Sequence, residues 1–131
     1  MKQITKHMIK IYNLDLCFMG YKLDKTASFH HLTKRENGGK ETLENGAVLN
    51  KNAHEYLHII EYKDIDTYIT INNILKIINQ QHDKPTIEQY KMISSLLSTF
   101  ETDHKKDKTS KGKKLIREKY LDRYYWKKGE L

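Results

Sequence analysis

His54 and His58 stand four residues apart in the run His54-Glu55-Tyr56-Leu57-His58. A helix brings residues at that spacing onto one face, a turn apart, where two imidazoles can share one metal ion. A second pair, His30-His31, lies upstream. If the later run is helical, the question is whether the fold carries the earlier pair to it. Read alone, the later run is also H-E-x-x-H, the motif in which a helix gives a metalloprotease two zinc ligands and a glutamate base. That reading makes Glu55 the base and requires a third ligand downstream. Glu61 is too near for it, and Glu88, Glu101 and His104 fit no common spacing. It also leaves His30-His31 and Asn45 without a role.

The surrounding residues supply the elements. Ile4, Met8, Ile9 and Ile11 suit a short helix over residues 3–12, and residues 14–20 read as a turn or short strand closed by Gly20. Thr26 to His31 predicts a strand. Residues 34–40 form a polar loop in which Asn37-Gly38-Gly39 supplies positive-φ positions. Gly46-Ala47-Val48-Leu49 predicts a second strand, and Asn50 or Asn52 then caps the helix bearing His54 and His58. The order is strand, loop, strand, helix.

The second half reads as helical. Ile65, Tyr68, Ile69, Ile74, Leu75 and Ile78 recur near the helical period. Pro85 breaks the chain, Thr86 is a cap, and Ile87, Tyr90, Ile93, Leu97 and Phe100 mark another amphipathic helix. Residues 103–114 are loop-like, and a last helix from about Lys114 carries Leu115, Ile116, Tyr120 and Tyr124. His7, His82 and His104 have no motif context and read as surface residues. Tyr120, Tyr124, Tyr125 and Trp126 read as packing groups, although aromatics among cations also stack on bases.

Composition narrows the class. The 131 residues, 37% hydrophobic, suffice for one domain with one modest core. No apolar run approaches the ~20 residues a membrane helix needs, and the first residues lack a signal-peptide pattern. The single Cys17 excludes an intrachain disulfide and fits a reducing compartment, so a cytoplasmic location with no membrane partner is expected. Residues 1–103 hold 13 Lys/Arg and 13 Asp/Glu, whereas residues 104–128 hold 11 Lys/Arg against Asp107, Glu118 and Asp122. A cationic tail on a neutral body points to a polyanion, most simply nucleic acid.

The run Phe29-His30-His31-Leu32, then Gly38-Gly39, then Leu43-Glu44-Asn45-Gly46-Ala47-Val48-Leu49, then His54-Glu55-Tyr56-Leu57-His58 resembles the HNH endonuclease family, with its ββα-metal or His-Me finger fold. The resemblance covers about residues 27–60. It implies that His30, His54 and His58 hold one divalent metal, that His31 is the base that deprotonates the attacking water, and that Asn45 orients His31. It also implies open positions at the metal for a phosphate oxygen. Two features depart from the family pattern. Only Cys17 remains of the Cys-x-x-Cys pairs that bind a structural zinc in many members, so the helical half must brace the finger. Gly46 replaces the usual apolar residue after the asparagine, which is expected to loosen the start of the second strand.

The chemistry suits the constellation. Phosphodiester hydrolysis needs an activated water and neutralisation of phosphoryl charge, tasks for a near-neutral histidine and a divalent cation. Lys34 and Arg35 lie within reach of a flanking phosphate. Imidazole ligands suit Zn²⁺, Ni²⁺ or Mn²⁺ better than Mg²⁺, without excluding Mg²⁺. The expectation is thus one α+β domain over residues 1–131. It comprises a ββα-metal finger at 27–60, a helical appendage at 64–103 and a basic segment at 104–131 whose Lys105, Lys106, Lys108, Lys111, Lys113, Lys114 and Arg117 grip the backbone of nucleic acid, DNA before RNA. The alternatives are a non-catalytic HNH-derived binder or regulator of phage or mobile-element type, and the H-E-x-x-H zinc protease.

Overall fold

Two four-residue strands, β1 (Ser28–His31) and β2 (Gly46–Leu49), pair antiparallel in the register Ser28↔Leu49, Phe29↔Val48, His30↔Ala47 and His31↔Gly46. In a computed structural model, which describes residues 1–121 and 123, they are surrounded by helices α1 (Gln3–Ile11), α2 (Lys51–Lys63), α3 (Ile65–Gln81), α4 (Ile87–His104) and α5 (Glu118–Leu121). Two 3₁₀ turns, Arg35–Asn37 and Leu43–Asn45, lie between the strands. The class is α+β. A two-stranded ribbon is marginal by itself in water; here α1 and α2 both pack on it, α3 lies against β2 and α2, α4 against α3, and α5 against α2.

The core explains this order. Met8, Phe18, Val48, Leu49, Tyr56, Leu57, Ile60, Ile71, Leu75, Leu97 and Phe100 are all buried. Asp64 ends α2 and caps α3 by accepting from Thr67 N at 3.1 Å, so the two helices turn on a single residue. Helix α4 begins at Thr86, the expected cap, which forms a capping box with Gln89. On α3 the inward stripe is Tyr68, Ile71, Ile74, Leu75 and Ile78. Ile65 and Ile69, which the periodicity places with them, are exposed instead.

Several expectations are corrected. Gly46 does not loosen β2: a Cβ there would overlap the Phe29 ring and stand 2.9 Å from Met8 Sδ, so glycine lets the strand lie against Phe29 and α1. Gly38 adopts a positive φ of 87°, but Gly39 is needed for closeness, since a Cβ would overlap Thr33 O and lie 2.8 Å from Asn45 Nδ2. Asn50 occupies the N-cap position of α2 without capping it. Its amide donates to Lys22 O and accepts from Asp24 N, and Lys51 N is bonded instead by Thr26 Oγ1 at 3.2 Å.

The C-terminal segment also differs. Residues 107–115 form a small hairpin with a Lys108↔Lys114 bridge, Thr109 N to Lys113 O at 2.7 Å and a positive φ at Gly112. Helix α5 starts at Glu118, not Lys114. His104, read as a surface residue, is partly buried, 2.7 Å from Asp107, with its ring tilted against Phe100 at 4.5 Å between centroids. Tyr120 stacks on Tyr56, and buried Arg123 donates to Glu101 at 2.7 Å, which ties the segment to α2 and α4. Tyr124, Tyr125 and Trp126 lie outside the described residues. Among the described residues no helix is long and apolar enough to cross a membrane.

Candidate metal centre

Adjacent strand residues point to opposite faces. β1 ends at His31, however, so the chain turns there and both His30 and His31 line one cleft. That cleft, about 270 Å³, is also walled by His54 and His58 from α2, by Lys34 and Arg35 from the loop, and by Phe29 and Tyr68. His30, His54 and His58 bring one ring nitrogen each within 4.8 Å of one another, close enough to hold one metal ion. The ring centroids of His54 and His58 are 4.8 Å apart and those of His30 and His54 5.3 Å.

A hydrogen-bond partner on one nitrogen decides which nitrogen each ring has left to offer. Asn72 Nδ2 donates to Leu32 O at 3.0 Å, which leaves Asn72 Oδ1 to accept from His30 Nε2 at 2.9 Å. His30 then has its Nδ1 lone pair free. The Ser28 hydroxyl donates to Leu49 O at 2.9 Å, so it accepts from His54 Nδ1 at 3.0 Å and frees His54 Nε2. The Glu61 carboxylate accepts from His58 Nδ1 at 3.2 Å and frees His58 Nε2. Each ligand thus has an outer-shell group that fixes its tautomer, the arrangement that orients histidines at metal sites.

Electrostatics agree with the donor set. Burial pushes the pKa of His30 down to about 4, and burial followed by the neighbouring His58 does the same to His54. Both rings are neutral near pH 7, as metal ligation requires. Burial opposes ionisation of Glu61, but Lys34 and His58 hold its carboxyl below the usual range. The residues present therefore fit a divalent cation.

His31 is half-buried beside the cluster. Burial first, and then the Arg35 guanidinium, lower its pKa. Arg35 Nε donates to His31 Nε2 at 3.3 Å, which places the ring proton on Nδ1 and leaves His31 a neutral imidazole with its basic nitrogen toward Arg35. Arg35 also approaches Glu41 at 3.5 Å, while Lys34 is ion-paired with Glu61.

The other site residues are placed differently. Asn45 does not bond the His31 ring or backbone. Its side chain accepts from Thr33 N at 2.7 Å and donates to Thr33 O and Lys40 O at 2.9 Å, while Asn45 O accepts from Leu32 N at 3.0 Å. It clamps the loop that follows His31, so any effect on His31 passes through that loop. Lys105, Lys106, Lys108, Lys111, Lys113, Lys114 and Arg117 are exposed and do not line the cleft. Their segment is tied to the far end of α2 by Lys63 and Asp107 at 3.2 Å. Glu55 is engaged by Lys119 at 3.2 Å and Tyr120 at 3.4 Å. The third histidine of the cluster lies upstream of H-E-x-x-H, not downstream.

Sequence reasoning missed Asn72, Ser28 and Glu61 as the outer shell. Asn72 carried a signal, since it falls on the inward stripe of α3 beside Ile71 and Leu75, where a polar residue must find a partner. Asn79, seven residues on along the same face, donates to Leu43 O and Gly46 O at 2.7 Å and fixes the start of β2. No family model, curated protein or solved structure matches the chain.

Proposed function

We propose that the chain is a metal-dependent endonuclease of HNH type that hydrolyses phosphodiester bonds of nucleic acid, DNA in the first instance. The observation that carries this reading is the set of three tautomer-fixed imidazoles with a fourth, neutral imidazole in the same cleft. A structural metal site would need no adjacent base, and a binding module would need neither. Three imidazoles favour Zn²⁺ or Ni²⁺ over Mg²⁺. A divalent cation supplies the neutralisation of charge that builds on the phosphoryl oxygens.

The chain's own residues do the rest. His31 takes the proton of the attacking water at Nε2, the nitrogen that Arg35 now bonds. An arriving phosphate offers Arg35 a stronger, charge-assisted acceptor than a neutral imidazole, so binding draws the guanidinium off His31 and onto the substrate. Lys34 holds Glu61, which in turn holds His58. Asn45 keeps the loop after His31 in place through Thr33.

The test is nicking of supercoiled plasmid by the protein and by His31→Ala, each with Mg²⁺, Mn²⁺, Ni²⁺ or Zn²⁺. Nicking that disappears in the variant is expected. Retained DNA binding without nicking under any metal would turn the reading to a non-catalytic module, and peptide cleavage abolished by Glu55→Gln would turn it to a protease.

A further inference from the structure

Tyr68 differs from Tyr12, Tyr21, Tyr56 and Tyr120. Those four are buried, and each hydroxyl donates to a partner: Asn79 O, Tyr120 O, Glu101 and Glu55 respectively. Tyr68 is only 6% exposed, yet its hydroxyl forms no hydrogen bond among the described residues. Buried polar groups are paired as a rule, so an unpaired one calls for a partner from outside the fold. The oxygen is not sealed in the core, and Tyr68 lines the metal cleft with the four histidines, Lys34 and Arg35. Helix α3 explains its place. Asn72 lies one turn further along the same face, about 6 Å along the axis, and its Oδ1 accepts from His30 Nε2 at 2.9 Å. The helix thus turns two polar side chains toward the histidines, of which one holds a ring and the other holds nothing. Burial, and next the Glu61 carboxylate, raise the pKa of Tyr68, so the phenol is a donor at neutral pH.

We propose that Tyr68 is a further catalytic residue of the cleft, whose hydroxyl donates a hydrogen bond to a non-bridging oxygen of the scissile phosphate. The assignment rests on the nuclease reading for the identity of the ligand as a phosphodiester. The donor set suits that class. Three imidazoles fit a divalent cation, and Arg35 and Tyr68 bring N–H and O–H donors to the same cleft, so the cleft matches an anion with more than one oxygen. A phosphodiester has two non-bridging oxygens that share one negative charge, and that charge grows as water attacks. A phenol fixed by the burial of its own ring meets the growing charge without reorganisation. His31 is left free for the water. Tyr68 stands on α3, outside residues 27–60, so the family resemblance gives it no role.

The experiment compares the full chain with Tyr68→Phe, which removes the hydroxyl and keeps the ring. Because that hydroxyl has no partner in the fold, the urea midpoint should not fall, and calorimetry should still find one Zn²⁺ bound. The Zn²⁺-loaded proteins are then titrated with dimethyl phosphate, a phosphodiester without sugar or base. The variant should bind it about tenfold more weakly and nick supercoiled plasmid with a kcat lower by about 10²–10³. A variant that binds dimethyl phosphate as the wild type does overturns the assignment, as does a wild type that binds none. A lower urea midpoint overturns it too, since the hydroxyl would then be a structural group. Tyr68-dependent binding of dimethyl phosphate by a chain that nicks no plasmid sinks the nuclease reading and leaves Tyr68 as a phosphate contact. Nicking that His31→Ala abolishes and Tyr68→Phe leaves intact does the reverse.

Discussion

The histidine corner and the basic C-terminal segment carry the two strongest chemical signals in the chain, and folding treats them differently. At the corner, residues from β1, the loop and α2 converge, and every ligand ring is held by a hydrogen-bonding partner: Asn72, Ser28 or Glu61. In the segment, seven cations stay exposed and form no ion pair among the described residues, spread from the end of α4 over a small hairpin. A dense charge in sequence is thus a property of a stretch of chain, whereas a site is a property of side chains that meet. The depression beside α2 makes the same point from the other side, since Lys22, Asp24, Lys51 and Lys119 stand far apart in the sequence and line one cavity.

The largest effect that separates the two regions is chemical. His31→Ala should lower plasmid nicking by about 10²–10⁴, the usual contribution of a positioned base, while calorimetry still finds one metal bound. If neutralising the basic segment abolished nicking as completely, the contrast would collapse. Next comes the outer shell. Asn72→Leu and Glu61→Gln should each weaken metal affinity by about 10–100-fold in competition with a chromogenic chelator; Asn72→Leu also strands Leu32 O, at a cost of about 1–3 kcal/mol in urea unfolding.

The pH response follows from burial. His30 and His54 are pushed down to about 4 in the folded chain, against about 6.5 when unfolded. Between those values the unfolded state binds the extra protons, so the stability of the metal-free protein rises as pH rises from about 4 to 6.5 and falls on acidification through the same window. Buried His30 alone contributes on the order of 3 kcal/mol to that change. Denaturant midpoints measured with chelator across this range should show it, and a His30→Gln variant should flatten it. Gly46→Ala sharpens the packing side of the comparison: the overlap with Phe29 and Met8 should lower stability by about 1–3 kcal/mol in the same assay. The smallest effect is expected from Lys111→Ala/Lys113→Ala, which should weaken DNA binding uniformly across sequences and reduce its salt slope by at most about 2, with kcat unchanged.

Local signals made the strands and α2 readable in the sequence almost to the residue. Gly38 and Pro85 punctuate, the β-branched and apolar runs are short, and the helical period after Asn50 is clear. The histidine cluster was legible for the same reason, since two ligands come from one helix and the third from a strand end close in sequence. Tertiary partners were not legible. Asn45 bonds Thr33 and Lys40 where the resemblance directs it to His31, and those three bonds occupy both ends of its carboxamide. Asn50 serves Lys22 and Asp24, and Thr26 takes over its capping position. Gly46 reads as a weakness until Phe29 and Met8 are placed against it. In each case local propensity names the element and long-range packing names the job.

Asn72 has a consequence for anyone who would move this centre elsewhere. Residues 27–60 contain all three histidines, His31 and Asn45, and look like a module that could be cut out and grafted. The proton acceptor of His30 comes from α3, beyond that boundary, and Glu61, the acceptor of His58, lies just outside it on α2. A transplanted finger would bring the ligands without the groups that decide which of their nitrogens faces the ion. The smallest transferable unit runs through α3, to Gln81.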